Sequence, residues 1–367
     1  MQQVNELSKM LNQHFNWHKA KMDCLVGMLI ALLNTRNVNL TQLAVSFSSE
    51  AQINSRYRRI QRLIHGYMDF DKVSLFIMLL FGFTETGFYL VFDRTNWKFG
   101  KIHINILMLA IVHQGAAIPI MWIVLNNKRG NSTMQQRIAM MKRFIKLFGK
   151  ERILGIFGDR EFIGGEWFEW LQSEGINYHI RIKQDALITN SKGEVVSAKN
   201  LFHDLKPGEQ TVFEKARKVT GVWVYIAAMR LNDGSLLIVA SKDFCAEAIS
   251  IYGKRWEIET LFACLKSWGF RFEETHLSKR HRIKTLLVVM AIAFCWAKRT
   301  GEWAHKQNPI KIKKHERLAK SIFRLGLDLL QDGLKNLTST MKSFATQFFQ
   351  FIEIKAHYSK FDLLSCT

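Results

Sequence analysis

The sequence predicts a mixed α/β protein: a layer of strands and helices in the middle, helices on either side, and a β-rich segment set into its second half. Three observations predict this. Residues 1–75 carry helical spacing in short, cappable segments. Residues 88–182 hold compact apolar runs of strand length, separated by turns or amphipathic stretches. Residues 185–245 are punctuated by Ser191-Lys192-Gly193, Pro207-Gly208 and Asn232-Asp233-Gly234. A chain of 367 residues has room for two or three cores.

In the first region, Asn39 or Thr41 is placed to cap a short helix through Phe47, and Asn54 or Ser55 a second one through His65. In the second helix Ile60, Leu63 and Ile64 recur at i, i+3, i+4 and pack inward, leaving Arg58, Arg59 and Arg62 on a different side. Two short helices with an Arg-rich second one suggest a helix-turn-helix DNA reader. A solvated basic helix on a small bundle fits the same segment equally well. The middle region starts with Phe88-Tyr89-Leu90-Val91-Phe92-Asp93, an apolar run ending in a carboxylate. Runs at 104–112 and 118–125 follow around a turn at Gly115, then a helix over Asn131–Phe148 that is basic on its exposed side. Ile153-Leu154-Gly155-Ile156-Phe157-Gly158-Asp159 is a second buried-strand run ending in Asp, followed by a helix over roughly 165–174 and a strand Tyr178–Ile182. This order fits an α/β layer whose first strands form an antiparallel meander. Runs such as Gly221–Met229 and Ser235–Ala240 make 185–245 a small β insertion. Helical sequence resumes from Ala246 through about Ser267, and again from His281 to Arg299.

Composition narrows the class. Hydrophobic residues at 48% and aromatics at 12% suit a packed chain and exclude a disordered one. A net charge of +21 attracts a polyanion, either nucleic acid or an anionic membrane surface. The membrane alternative is the weaker. Thr285–Ala297 is too short to span a bilayer, and Ile104–Val124 is broken by His113-Gln114-Gly115 and by Pro119. No signal peptide is expected, and five scattered cysteines without a CxxC pair point to a reducing cytosol rather than to zinc or disulfides. The histidines, His103, His113 and His179 among them, show no metal-ligand spacing, and Met108, Met121 and Met290 read as core. The stretch Lys298–Arg324 holds nine Lys or Arg against two Glu, a solvated face or a track for DNA backbone.

Asp93 and Asp159 each end an apolar strand, where a rigid scaffold presents a carboxylate at the rim of a sheet. Either alone is more often a turn former or helix cap. The weight comes from Tyr252, Arg255, Glu259 and Lys266, at i, i+3, i+7 and i+14 in a segment read as helical. At about 100° per residue they share an arc of roughly 60°, a stripe of phenol, guanidinium, carboxylate and ammonium. An i, i+4 surface ion pair between Arg255 and Glu259 is the competing account. Three carboxylates suit hard divalent cations, and two such ions about 4 Å apart can flank a scissile phosphate. Arg255 and Lys266 would grip phosphates beside the cut, and the Tyr252 hydroxyl would hydrogen-bond one.

The spacing Tyr252-x2-Arg255-x3-Glu259-x6-Lys266 resembles the YREK signature of bacterial insertion-sequence transposases of the DDE type, the IS-four-type group that cuts and pastes through hairpins. Asp93-Arg94-Thr95-Asn96-Trp97 looks like that family's first-Asp strand end, and Gly158-Asp159-Arg160-Glu161-Phe162 like its second. Lys266-Ser267-Trp268-Gly269-Phe270 with Glu273–Leu277 is also similar, so the resemblance runs from about residue 88 to 330. It implies an RNase H-like catalytic domain in two parts, 85–184 and 246–300, around the β insertion 185–245. A helical DNA-binding domain at 1–75 would precede it and a basic helical region at 301–367 follow. It further implies two Mg²⁺ (or Mn²⁺) ions on Asp93, Asp159 and Glu259, terminal inverted repeats and target DNA as partners, a homodimer in the synaptic complex, and a place in the bacterial nucleoid. Hairpin formation in such enzymes uses a flipped base held against an aromatic. Trp223 is the candidate for that contact, against the more ordinary reading of a β-sheet core aromatic. The tail Phe344–Ile354 is a candidate dimer surface. Two other classes remain open: an RNase H-like nuclease without strand transfer, which needs neither the Tyr-Arg-Lys stripe nor a separate DNA reader, and a non-catalytic DNA-binding regulator, which leaves the three carboxylates unexplained.

Overall fold

The computed structural model describes residues 2–126, 130–314 and 316–336. The tail segment 344–354 lies outside them. The chain divides into two compact units. One holds the residues before Thr86, Trp97–Ile104 and the chain from Phe262; the other holds Thr86–Asn96 and Asn105–Leu261.

The first unit is helical. It opens with α1 (Gln2–Phe15), α2 (Lys19–Thr35), α3 (Leu40–Ser46), α4 (Ile53–His65) and α5 (Phe70–Phe81). Of the two expected caps for α3, Asn39 is used, its side chain accepting the Thr41 N–H. α4 starts earlier than expected, at Ile53, with Gln52 in the cap position in place of Asn54 or Ser55. α2 is buried almost all round from Met22 to Leu33, which marks it as a core helix rather than a surface one. Gly27 is needed there, because a Cβ at that position would strike the Phe47 ring.

The second unit is built on a sheet. Its elements are β1 (Phe88–Phe99), β2 (Ile102–Ile111), β3 (Ile118–Val124), α6 (Met134–Phe148), β4 (Ile153–Gly158), α7 (Gly165–Ser173) and β5 (Tyr178–Ile182). Then come β6 (Leu187–Thr189), β7 (Val195–Ser197), α8 (Ala198–Leu201), β8 (Gln210–Val212), β9 (Arg217–Val219), β10 (Val222–Arg230), β11 (Leu236–Ser241) and α9 (Ala248–Gly253). The strand order is β3-β2-β1-β4-β5-β11-β10-β9-β6-β7, with β8 beside β10. β1, β4 and β5 run parallel, and β2 and β3 form an antiparallel pair, as the meander reading expects. The strands of 185–245 do not make a separate small sheet. β11 pairs antiparallel with β5, Ile238 opposite Ile182, so the insertion extends the same eleven-stranded sheet. The reason is an edge: β5 would otherwise expose a row of unpaired backbone groups.

The long helix expected from Ala246 to Ser267 is broken. α9 ends at Gly253, a 3₁₀ turn covers Lys254–Trp256, and α10 (Glu257–Leu265) follows. Glycine weakens the helix at that point, and the tighter 3₁₀ turn shifts the phase of everything beyond it. The single 60° stripe therefore does not form. α10 has its first residues in the second unit and its last in the first.

The first unit resumes with α11 (Arg280–Gln307) and α12 (Ile322–Asn336). α11 is buried from Leu286 to Lys298. Gly301 and Gly326 let α11 and α12 touch backbone to backbone, since a Cβ on either would strike the facing helix. The basic stretch from Lys298 is not uniformly solvated. Lys298 is buried and pairs with Glu302, as does Arg299. Among the described residues no helix is long and apolar enough to cross a membrane.

Candidate active site

β1 and β4 lie side by side with Leu90 opposite Ile156 and Val91 opposite Phe157. Continuing that register by two residues puts Asp93 beside Asp159. Both strands are apolar because the sheet is covered; Leu90, Val91, Phe92, Ile156 and Phe157 are all buried. The polar residues come where that cover ends: Asp159 directly follows β4, as expected, whereas β1 does not end at Asp93 but runs on to Phe99 with a less buried second half. Asp93 accepts the Arg94 N–H at 2.7 Å, and Asp159 accepts the Glu161 N–H at 2.9 Å, capping a short 3₁₀ turn.

Arg255 carries the third carboxylate to this rim. Its Nη1 lies 3.0 Å from Asp93 Oδ2 and its Nη2 2.6 Å from Glu259 Oε1, so one guanidinium bridges the two acids. The i, i+4 pair anticipated for Arg255 and Glu259 exists, but it is a surface pair on one side only: Arg255 is 7% exposed, while the Glu259 side chain is 39% exposed. Burial pushes the Asp93 carboxyl up to about 7; Arg255 opposes this and Asp159 adds to it. Burial acts against the charge on Arg255 too, and Tyr252, Asp93 and Glu259 more than restore it.

Tyr252 does not face outward as the stripe implied. It is buried, and its hydroxyl donates to the Gly158 carbonyl at 3.3 Å, bracing the residue before Asp159. Glu257 holds the start of α10. Its carboxylate accepts the N–H groups of His113 (2.5 Å) and Gly115 (2.9 Å), and its carbonyl accepts the Ala117 N–H. Arg94 and Glu161 form a two-point ion pair at 2.5 and 2.6 Å, and Arg94 also donates to Asn105 and to the Gly130 carbonyl. Sequence reasoning assigned no role to Glu257, Arg94 or Glu161. Arg94 and Glu161 had a signal: opposite charges one and two residues beyond the aspartates that close the two apolar runs.

Asp93, Asp159, Tyr252, Arg255 and Glu259 thus share the second unit. The other named residues lie elsewhere. Lys266 belongs to the first unit, 2.7 Å from Glu273 and over the Trp97 ring. Arg58 and Arg62 are exposed on α4, and Arg59 lies over the Phe47 ring. Trp223 is 61% exposed on β10, opposite Lys218, which overturns the reading of it as a core aromatic. Its carbonyl accepts a hydrogen bond from the Gln172 side chain. Among the described residues no three Asp, Glu, His or Cys side chains converge closely enough to hold one metal ion, and Arg255 stands between Asp93 and Glu259.

Residues 86–296, more than half of the chain, match the family described as the transposase DDE domain. The chain belongs to that family. It is a DDE transposase, and the matched span begins two residues before β1 and ends within α11. Transposases of this family generally work with divalent metal ions. Among solved structures, the transposase is similar to a piggyBac transposase in a synaptic complex with hairpin DNA, seen by cryo-EM. Identity is 11% and the TM-score 0.47, over 97% of this chain and 83% of that one. No curated protein matches the sequence.

Proposed function

We propose that this transposase binds the terminal inverted repeats of an insertion sequence, cuts the DNA at those ends, and joins the freed 3′-hydroxyls to a target. Asp93, Asp159 and Glu259 are its catalytic acids. The observation that carries this reading is the guanidinium of Arg255 spanning Asp93 and Glu259, with Asp159 next to Asp93 in register. A part-buried carboxylate within a strand, beside a second one and with a third brought up on a helix, has no use in packing and is costly to assemble.

The donor set fits two Mg²⁺ or Mn²⁺ ions in chemistry: it is oxygen only and acidic, and burial first, then the neighbouring Asp159, makes a cation favourable beside Asp93. When bound, the ions would activate the attacking oxygen and stabilise the leaving one. The chain's own residues do the rest. Arg255 neutralises the acids while no other cation does so, and is placed to turn to a phosphate once they are satisfied. Tyr252 holds the end of β4, and Glu257 holds α10, so that Asp159 and Glu259 keep their places. Lys266 remains a phosphate-binding residue by its spacing in the sequence alone.

The finer identity follows the same residues. Tyr252, Arg255, Glu259 and Lys266 at their spacing support the bacterial YREK group, and the order β3-β2-β1-β4-β5 supports an RNase H-like catalytic domain. An exposed Trp223 leaves its ring available for a flipped base in a hairpin step, and a homodimer would pair two DNA ends. The test is cleavage of a labelled duplex carrying the terminal repeat, with Mg²⁺ or EDTA, by wild type, Asp93→Ala and Glu259→Gln. Metal-dependent release of a 3′-hydroxyl end, lost in both variants while end binding persists, is the expected result. Wild-type cutting by either variant would remove that residue from the catalytic set.

A further inference from the structure

The helix α4 separates two cavities within the first unit, each with basic side chains in its lining. One, of about 520 Å³, is lined by Lys21, Arg59 and Arg62 with His18 and Tyr67. The other, of about 160 Å³, is lined by Arg282 with His65, His276 and Gln61. No Asp or Glu lines either one. The ammonium of Lys21 is fixed in place, donating to the Tyr67 carbonyl at 2.6 Å and sitting 4.0 Å over the Trp17 ring. Asp69, whose charge acts on Lys21, is taken up capping α5. Across α4, Arg282 Nε is buried without a hydrogen-bond partner. Asp69 apart, the cations on both flanks of this helix have no carboxylate in the cavities they line, which describes a surface short of anions.

The geometry of α4 sorts its residues. Ile60, Leu63 and Ile64 are buried and define its inner side. At 100° per residue, Arg59 falls on one flank and Gln61 and His65 on the other, while Ser55, Arg58 and Arg62 crown the outer side. Asn54, Ser55 and Arg58, all exposed, occupy the N-terminal half. A helix with its side chains is about 10–12 Å across, and the major groove of B-DNA about 12 Å wide. A helix seated there meets the phosphates of one strand on each flank.

We propose that α4 enters the major groove of duplex DNA with Arg58 reading a base edge, and that the two cavities take backbone phosphates from opposite strands, Lys21, Arg59 and Arg62 on one side and Arg282 on the other. This rests on the end-binding reading above and divides what the sequence treated as one basic patch. Arg58, free at the tip, gives sequence preference; Arg59 and Arg62 give affinity without it. The six-residue link from Phe47 to Gln52 between α3 and α4 is longer than the turn of a helix-turn-helix, so the proposal stands on α4 and its flanks, not on that motif.

The full-length chain is used to select from a randomised duplex library, and the selected and unselected duplexes are then titrated across salt. Arg58→Ala is expected to bind unselected duplexes as wild type does. It should lose about ten- to a hundredfold on the selected sequence, with the loss confined to one or two base pairs. Arg59→Ala with Arg62→Ala, and separately Arg282→Ala, should weaken both duplexes alike and lower the salt slope by about one for each phosphate left without its cation. Arg282→Lys should keep the slope, which separates the effect of charge from that of folding. Selection of the same sequence by Arg58→Ala at wild-type affinity, an unchanged slope in the Arg59/Arg62 double variant, or no enriched sequence for wild type would each overturn the proposal. Mg²⁺-dependent cutting, and its loss in Asp93→Ala, reports on the catalytic reading independently of these outcomes.

Discussion

Arg94 and Glu161 tie the middle of β1, which carries Asp93, to the turn after β4, which carries Asp159, through a two-point ion pair at 2.5 and 2.6 Å with side chains only 10% and 14% exposed. Arg94 directly follows Asp93, and Glu161 stands two residues after Asp159, so any change in the separation of the aspartates must also stretch this pair.

Breaking that pair should therefore cost stability and activity together. Glu161→Ala leaves a buried guanidinium whose main partner is gone, a loss of about 3–5 kcal/mol. Urea unfolding measures it, and cutting should fall at every metal concentration. A variant as stable as wild type would make the pair incidental.

Arg255 should compete with divalent metal. In wild type a cation arriving at Asp93 and Glu259 displaces a guanidinium at 3.0 and 2.6 Å; in Arg255→Gln it meets unneutralised carboxylates. Mn²⁺ should raise the melting midpoint of Arg255→Gln above its EDTA value by about 2–4 °C more than for wild type, the shift that 1 kcal/mol gives in a domain of this size. Equal shifts would detach Arg255 from the metal-binding acids. Cutting by the same variant should be lower, because the arginine is then missing from the phosphate.

Glu257 should matter to cutting without touching DNA. Glu257→Ala leaves the His113 and Gly115 N–H groups without their carboxylate, at about 1–3 kcal/mol for each that stays unsatisfied. The start of α10 loosens, and Glu259 with it. End binding by gel shift should stay at the wild-type level while the cutting rate drops. If the two fall in parallel, Glu257 supports the fold at large rather than the position of Glu259.

His179 should make the protein acid-sensitive. It is buried on β5 with Nδ1 2.8 Å from Ser241 Oγ, and burial lowers its pKa from 6.5 to about 4. The unfolded chain then binds more protons than the folded one between those values. Stability is full above about 6.5 and is lost as pH falls towards 4, on the order of 3 kcal/mol in all. His179→Gln should flatten that part of the stability–pH curve; an unchanged curve would move the acid sensitivity to other groups.

Much of this protein was readable from residue order. Apolar runs before Asp93 and Asp159 marked two covered strands; Asp159 does follow the end of its strand, but β1 continues past Asp93 to Phe99, so there the end of the apolar run marked the end of burial and not of the strand. The turn signals marked the inserted strands, the cap at Asn39 marked a helix start, and the excess of positive charge pointed to a polyanion. What sequence order could not determine is which groups meet. Tyr252, Arg255 and Glu259 were spaced for one exposed stripe, yet Gly253 and a 3₁₀ turn rotate Tyr252 inward to Gly158 and Arg255 into a bridge between two acids. The inserted strands joined the central sheet because β5 had an open edge to cover, a fact about neighbours in space. Local rules report the period and ends of each element; the partner of a charged side chain depends on chain brought back from 162 residues away, as Arg255 is to Asp93, and only the packed tertiary structure decides that.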